Sequence, residues 1–167
     1  MIDSATVVRS CHPILVSACL LGAPCRYDGR SRLDEEISGV VARQPYLPVC
    51  PEMLAGMGSP RSPMEFRRRN GSTRLITREE RDVTRAMQSA CRRIVDSAVL
   101  LGCREAICKE GSPSCGVHRV HMEGESRPGR GMLVSALLRR GISVLSEEDY
   151  HVLGNGIDSD RGNPAED

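Results

Sequence analysis

The chain has 167 residues, 40% of them hydrophobic and 27% charged, with a net charge of +1. That length accommodates one domain with a packed core, and so balanced a charge gives no bulk electrostatic case for nucleic acid or an anionic membrane. One Phe, three Tyr and no Trp leave little for stacking single-stranded nucleic acid, which argues against a polymer partner.

Residues 1–12 are expected to form a flexible arm, residues 13–153 the folded domain and residues 154–167 a disordered polar tail. ILVSACL (14–20) has the length and apolarity of a buried strand. Gly22, Pro24 and Gly29 punctuate the loop that follows. Asp34 to Arg43 is weakly helical through Ile37, Val40 and Val41, and YLPVC (46–50) reads as a second strand. Pro51 to Pro63 carries three prolines and two glycines and is expected to hold no helix. Arg67 to Thr77 forms a predicted hairpin around Asn70-Gly71, a type I′ turn signal.

Thr77 to Glu80 reads as a capping box that opens a helix. Its buried face runs through Val83, Met87, Ala90, Ile94 and Ala98, and Gly102 closes it. EAIC (105–108) is a third strand, and residues 109–131 are expected to be one long loop. Met132 to Arg140 is a helix stopped by Gly141, and ISVL (142–145) is the last strand. This alternation predicts an α/β fold: a single-domain, mostly parallel, Rossmann-like sheet with flanking helices and functional loops at the carboxyl ends of the strands.

Three cysteines stand just beyond strands. Cys19 follows ILVSA, Cys50 follows YLPV, and Cys115 lies in KEGSPSCG beyond EAIC. Loops beyond the carboxyl ends of such strands converge on one crevice. Three convergent thiols without a C-x-x-C knuckle describe a soft-metal site with one position open. Glu52, two residues past Cys50, is placed to act as general base toward a water. Ser112, three before Cys115, is a candidate hydrogen-bond donor or proton relay, with Ser114 beside it. Asp28 is a candidate to orient Arg26 or a substrate. Lys109, the only lysine of the chain, is a candidate to offset thiolate charge.

The other signals have plainer readings. Cys91 and Cys103 read as packing residues, Cys108 as packing or a neighbour of the site, and Cys11 as part of the arm. His118 and His121 are expected to be solvated rather than metal ligands, as is the Arg67–Arg69 run. MIDSATVVRSCHP does not read as a signal peptide, no apolar run is long enough to span a membrane, and the expected location is cytoplasmic. Eight cysteines in such a compartment point to metal, catalysis or packing rather than disulfides.

SACLLGAPCRYDG, PVCPEMLAGMGSPRSP and KEGSPSCG resemble the three signature segments of the thiouracil desulfurase family, over about residues 14–150. The resemblance implies an α/β fold holding a 4Fe–4S cluster on three cysteines, here Cys19, Cys50 and Cys115, with one open iron that takes the sulfur of a thiolated nucleobase. It implies catalytic roles for Glu52 and Ser112, and a small thiolated base or nucleoside as substrate. Cys25 is placed beside the cluster rather than on it; a rival assignment exchanges it with Cys19. The implied reaction is hydrolytic and non-redox: thiouracil and water give uracil and hydrogen sulfide. Competing readings are a sulfur-transfer enzyme, a non-catalytic zinc or iron–sulfur module, and a thiol redox protein using Cys19 and Cys25.

Overall fold

A computed structural model describes the backbone of residues 12–158 and side chains through residue 153. The predicted arm, apart from His12, and residues 159–167 lie outside the described residues. The elements in order are β1 (Ile14–Ser17), a 3-10 turn (Ala18–Leu21), α1 (Glu35–Val41), β2 (Tyr46–Val49), α2 (Pro51–Leu54), β3 (Met64–Arg69) and β4 (Ser72–Thr77). There follow α3 (Thr84–Leu100), β5 (Glu105–Cys108), β6 (Arg119–Met122), β7 (Glu125–Pro128), α4 (Met132–Arg139), β8 (Ser143–Ser146) and α5 (Glu147–Asp158).

The principal sheet is parallel throughout, in the order β2-β1-β5-β8. Side chains alternate across it, as the two-residue period of a strand requires. Leu15 of β1, with Ala106 and Cys108 of β5, joins a core with Ile94, Val95 and Ala98 of α3 and Leu133 and Leu137 of α4. Ile14, Val16 and Ile107 face the opposite side, where they pack with Ile37 and Val41 of α1 and Tyr150 of α5. Pro48 falls in β2, an edge strand, where a missing N–H breaks no inner ladder.

A second sheet, β4-β3-β6-β7, stands beside the first. Its β3–β4 hairpin turns at Asn70 and Gly71, both at positive φ (48° and 75°), as a type I′ turn requires. Its other half is a correction: residues 109–131 are not one long loop, because β6 and β7 form a hairpin that joins β3 through Phe66 and Met122.

Three further boundaries differ from the sequence reading. Pro51 to Pro63 does contain a helical turn, α2; Pro51 occupies a first-turn position, where its missing N–H has no intrahelical partner to lose. Thr77 does not open α3 but closes β4, opposite Met64. The Glu80 carboxylate is held by Arg67 and Arg69 and so is not available to cap a helix. The helix begins at Thr84, whose N–H donates to Asp82 Oδ1 at 2.9 Å. It ends as expected at Gly102: the Gly102 and Cys103 N–H groups return to Val99 and Ala98 carbonyls in a Schellman motif.

The third difference is α5, which carries helical backbone to Asp158, beyond the expected edge at residue 153. A reciprocal box opens it. Asp149 N–H donates to Ser146 Oγ at 3.0 Å, and Ser146 N–H donates to Asp149 Oδ2 at 2.9 Å.

Two glycines admit no larger residue. A Cβ on Gly116 would stand 2.2 Å from the Arg119 carbonyl oxygen, and one on Gly131 would stand 2.4 Å from that of Ser114. Thermal unfolding should show Gly116→Ala and Gly131→Ala destabilised by about 1–3 kcal/mol or more. Gly39→Ala, in α1 with open space around it, should stabilise by about 0.5–1 kcal/mol.

Candidate active site

The chain leaves β1 rightward in sequence to β2 on one side and later to β5 on the other, so the crevice between them is the switch point of the sheet. Cys19 stands in the 3-10 turn after β1, Cys50 caps the N-terminus of α2 after β2, and Cys115 lies in the loop after β5. All three, with Cys25, line one cleft of about 660 Å³. That volume suits a small molecule.

Glu52 is the centre of the polar arrangement. It is 7% exposed. Its Oε1 accepts a hydrogen bond from Ser114 Oγ at 2.5 Å, and its Oε2 accepts one from the Cys50 thiol at 3.3 Å. Ser114 Oγ is also 2.8 Å from Ser112 Oγ and 3.6 Å from Cys115 Sγ. The hydroxyl next to the carboxylate is therefore that of Ser114, fully buried, with Ser112 one step further out.

Arg61 was not singled out in the sequence. Its Nη2 is 3.8 Å from Glu52 Oε2, while Nη1 donates to the carbonyls of Cys25 (2.9 Å) and Gly58 (2.7 Å). Ser59 donates to the carbonyls of Pro24 (2.7 Å) and Arg26 (2.9 Å). The segment 58–61 thus straps the Cys19–Cys25 loop to the Glu52 turn. The GSPRSP run was its signal, a single arginine between rigid prolines beyond the Glu52 turn.

The remaining predicted residues divide. Arg26 and Lys109 line the cleft; Asp28 does not. Asp28 instead lies 3.5 Å from Arg26 Nε and caps its own turn by accepting the Arg30 N–H. The Lys109 ammonium is held by Glu147, at the start of α5, rather than standing free beside the thiols. His118 pairs with Asp149 at 2.8 Å, exposed, while His121 lines the cleft. Cys91, Cys103 and Cys108 are buried in the α3–α4 core.

The loop carrying Cys115 is held from within by Glu110, which is 4% exposed. Its carboxylate accepts the backbone N–H groups of Gly111, Val117, His118 and Arg119 at 2.8–3.1 Å. Glu147 in turn accepts Glu110 N–H at 2.7 Å. Charge-assisted bonds of this kind are about twice as strong as neutral ones.

Among the described residues, no three His, Cys, Asp or Glu side chains stand close enough to hold a single metal ion. Four soft sulfur donors spread around one cleft fit a multinuclear group better than one ion. Two of these thiols, Cys50 and Cys115, lie above their ordinary range. Cys50 is raised by its pairing with Cys25, then by burial and the nearby Glu52, and Cys115 is raised by burial.

The sequence model of the 2-thiouracil desulfurase family matches residues 14–149. The chain belongs to that family. It is accordingly an enzyme of the desulfurase class. It is 32% identical over 147 residues to the uncharacterized protein YbbK of Bacillus subtilis (strain 168), covering 83% of this chain and 97% of that protein. Its fold is similar to that of a solved 4Fe–4S-dependent thiouracil desulfidase, TudS, with a TM-score of 0.75, 35% identity, and coverage of 89% of this chain and 99% of that one. No helix among the described residues is long and apolar enough to cross a membrane.

Two measurements probe this arrangement in the desulfurase. Glu110→Ala leaves four backbone N–H groups without their acceptor, and chemical denaturation should show a loss of about 3–5 kcal/mol. Burial pushes the Cys91 and Cys108 thiols up to about 12. A raised thiol pKa means little thiolate at pH 8, so iodoacetamide should leave both unmodified in folded protein and alkylate both after denaturation, as read by peptide mass spectrometry.

Proposed function

We propose that this desulfurase removes sulfur from a thiolated nucleobase by hydrolysis, with a 4Fe–4S cluster held by Cys19, Cys50 and Cys115. The observation that carries the reading is Glu52, a buried carboxylate bonded on one oxygen to Ser114 and on the other to the Cys50 thiol, inside a cleft lined by cysteines. A cleft of about 660 Å³ suits one base or nucleoside rather than a polymer. The likeness to a 4Fe–4S-dependent thiouracil desulfidase supports the cofactor and the substrate class. All seven cysteines among the described residues are free thiols, in keeping with a reducing, cytoplasmic setting.

The protein's own groups divide the work. When bound, the cluster would supply an iron not ligated by the protein, a sulfur-seeking Lewis acid for the thiocarbonyl. Glu52 takes a proton from a water whose oxygen forms the new C–O bond. Ser114 holds Glu52 through its Oε1, and Ser112, hydrogen-bonded to Ser114 at 2.8 Å, extends the chain of hydroxyls along which a proton can move. Arg61 holds Glu52 Oε2 from the strap side. The C–S bond breaks, both water protons finish on sulfide, and no electrons are exchanged: thiouracil and water become uracil and hydrogen sulfide.

The test is anaerobic reconstitution with iron and sulfide, followed by 2-thiouracil absorbance and sulfide release. Glu52→Gln and Ser114→Ala should keep the cluster and lower kcat by about 10²–10⁴. Ser112→Ala should lose less than Ser114→Ala, and Cys115→Ala should lose the cluster with the activity. Stable clusters with no conversion of any thiolated base or nucleoside would overturn the assignment.

A further inference from the structure

Arg26 lines the cleft with hydrogen-bond donors left over. The other cations of the cleft are occupied or solvated. Arg61 donates to the Cys25 and Gly58 carbonyls, Arg67 Nε donates to Glu65 at 2.7 Å, and Lys109 is held by Glu147. Arg32 and Arg78 are exposed to water. The Arg26 side chain is 19% exposed, and its Nε is buried with no hydrogen-bond partner among the described residues. Asp28 Oδ1, 3.5 Å away, attracts the charge but takes the Arg30 N–H. A buried donor without an acceptor is costly and rare in a folded protein. The residue is also held in place. Its N–H donates to the Arg30 carbonyl at 3.2 Å, and its carbonyl accepts from the Ser59 hydroxyl at 2.9 Å and the Gly29 N–H at 3.1 Å. Its guanidinium carbon stands 5.6 Å from the centre of the Tyr27 ring, a cation–π distance. The preceding carbonyl, that of Cys25, accepts from the Cys50 thiol at 3.6 Å, so Arg26 begins at the thiol end of the cleft.

A guanidinium has five N–H donors and no acceptor. It bonds a carbonyl oxygen and offers an amino group nothing. Nε is enclosed, so the terminal nitrogens are the donors that a ligand meets. A thiouracil supplies the matching acceptor: beside the thiocarbonyl that loses its sulfur, the ring keeps one ordinary carbonyl. We infer that Arg26 binds the carbonyl oxygen that the thiolated base retains, and so selects an oxo base over an amino base. This rests on the desulfurase reading above and deepens it by assigning the specificity of the site. The atom that Arg26 grips does not react. Its contact is therefore made in ground state and transition state alike, and its loss appears in KM more than in kcat.

The experiment uses the full chain, reconstituted anaerobically with iron and sulfide, as wild type, Arg26→Ala, Arg26→Gln and Arg26→Lys. Iron per chain is measured for each. So are kcat and KM for 2-thiouracil, for 2-thiocytosine, which carries an amino group in place of the retained carbonyl, and for the two corresponding nucleosides. Wild type should favour the oxo substrate by about 10²-fold or more in kcat/KM. Arg26→Ala should keep its iron, raise KM for the oxo substrate by about 10–100-fold and bring the two substrates to within about tenfold of each other. Arg26→Gln, whose amide both donates and accepts, should also lose the preference. Arg26→Lys, which only donates, should retain most of it. A merely structural loss would lower both substrates alike and leave their ratio as it was. If Arg26→Ala does not fold, the Gln and Lys pair makes the same comparison.

An unchanged ratio in the Ala and Gln variants, or a wild type that converts oxo and amino substrates equally, would overturn this inference and leave the desulfurase reading standing. A wild-type chain that holds no cluster, or holds one and converts no thiolated base or nucleoside, would overturn the reading itself and this inference with it.

Discussion

Parallel pairing of β1 with β2 on one side and β5 on the other sends three chain segments out of the same sheet edge. Everything at the site depends on that register. Leu15 lies opposite both Leu47 and Ala106, so Cys19, Cys50 and the Lys109–Cys115 loop begin at nearly the same height above the sheet. The alternation of side chains then buries one face under α3 and α4 and the other under α1 and α5. The edge itself remains open for chemistry.

Loops at such an edge have no ladder to hold them, and here buried side chains take its place. Glu110 draws four backbone N–H groups inward around its carboxylate. Glu147 ties that residue and Lys109 to the first turn of α5. Ser59 and Arg61 do the same for the Cys25 loop by bonding its carbonyls. Both arrangements reach Glu52, which touches Ser114 of the Cys115 loop and lies beside Arg61 of the strap. Each pin gives a loop backbone group a fixed partner in place of water.

The same economy concentrates negative charge. Glu52 sits among the thiols of the cleft and bonds that of Cys50. Arg61 is the cation beside it, and Lys109, although it lines the cleft, is already balanced by Glu147. Pairing with Cys25 and burial raise the Cys50 thiol, burial raises that of Cys115, and Glu52 adds to both.

The sequence by itself determined the parallel α/β class, the positions of β1, β2, β5, α3 and α4, and the delivery of Cys19, Cys50 and Cys115 to one edge. These follow from local signals: apolar runs, helical periodicity and turn residues placed next to cysteines. The type I′ hairpin at Asn70-Gly71 was legible for the same reason, since positive φ at both positions is a property of the residues themselves. The capping motif was less decisive because it occurs twice. Thr77-Arg-Glu-Glu was captured by the Arg67 and Arg69 side chains of its hairpin, while Ser146-Glu-Glu-Asp caps α5. Only the tertiary structure decided that Ser114 rather than Ser112 touches Glu52, that Arg61 completes the site, and that Glu110 and Glu147 support it. The bond between Ser114 and Glu52 joins residues 62 positions apart. Which of two neighbouring hydroxyls reaches a distant carboxylate is fixed by how the loops pack, and no local pattern encodes that.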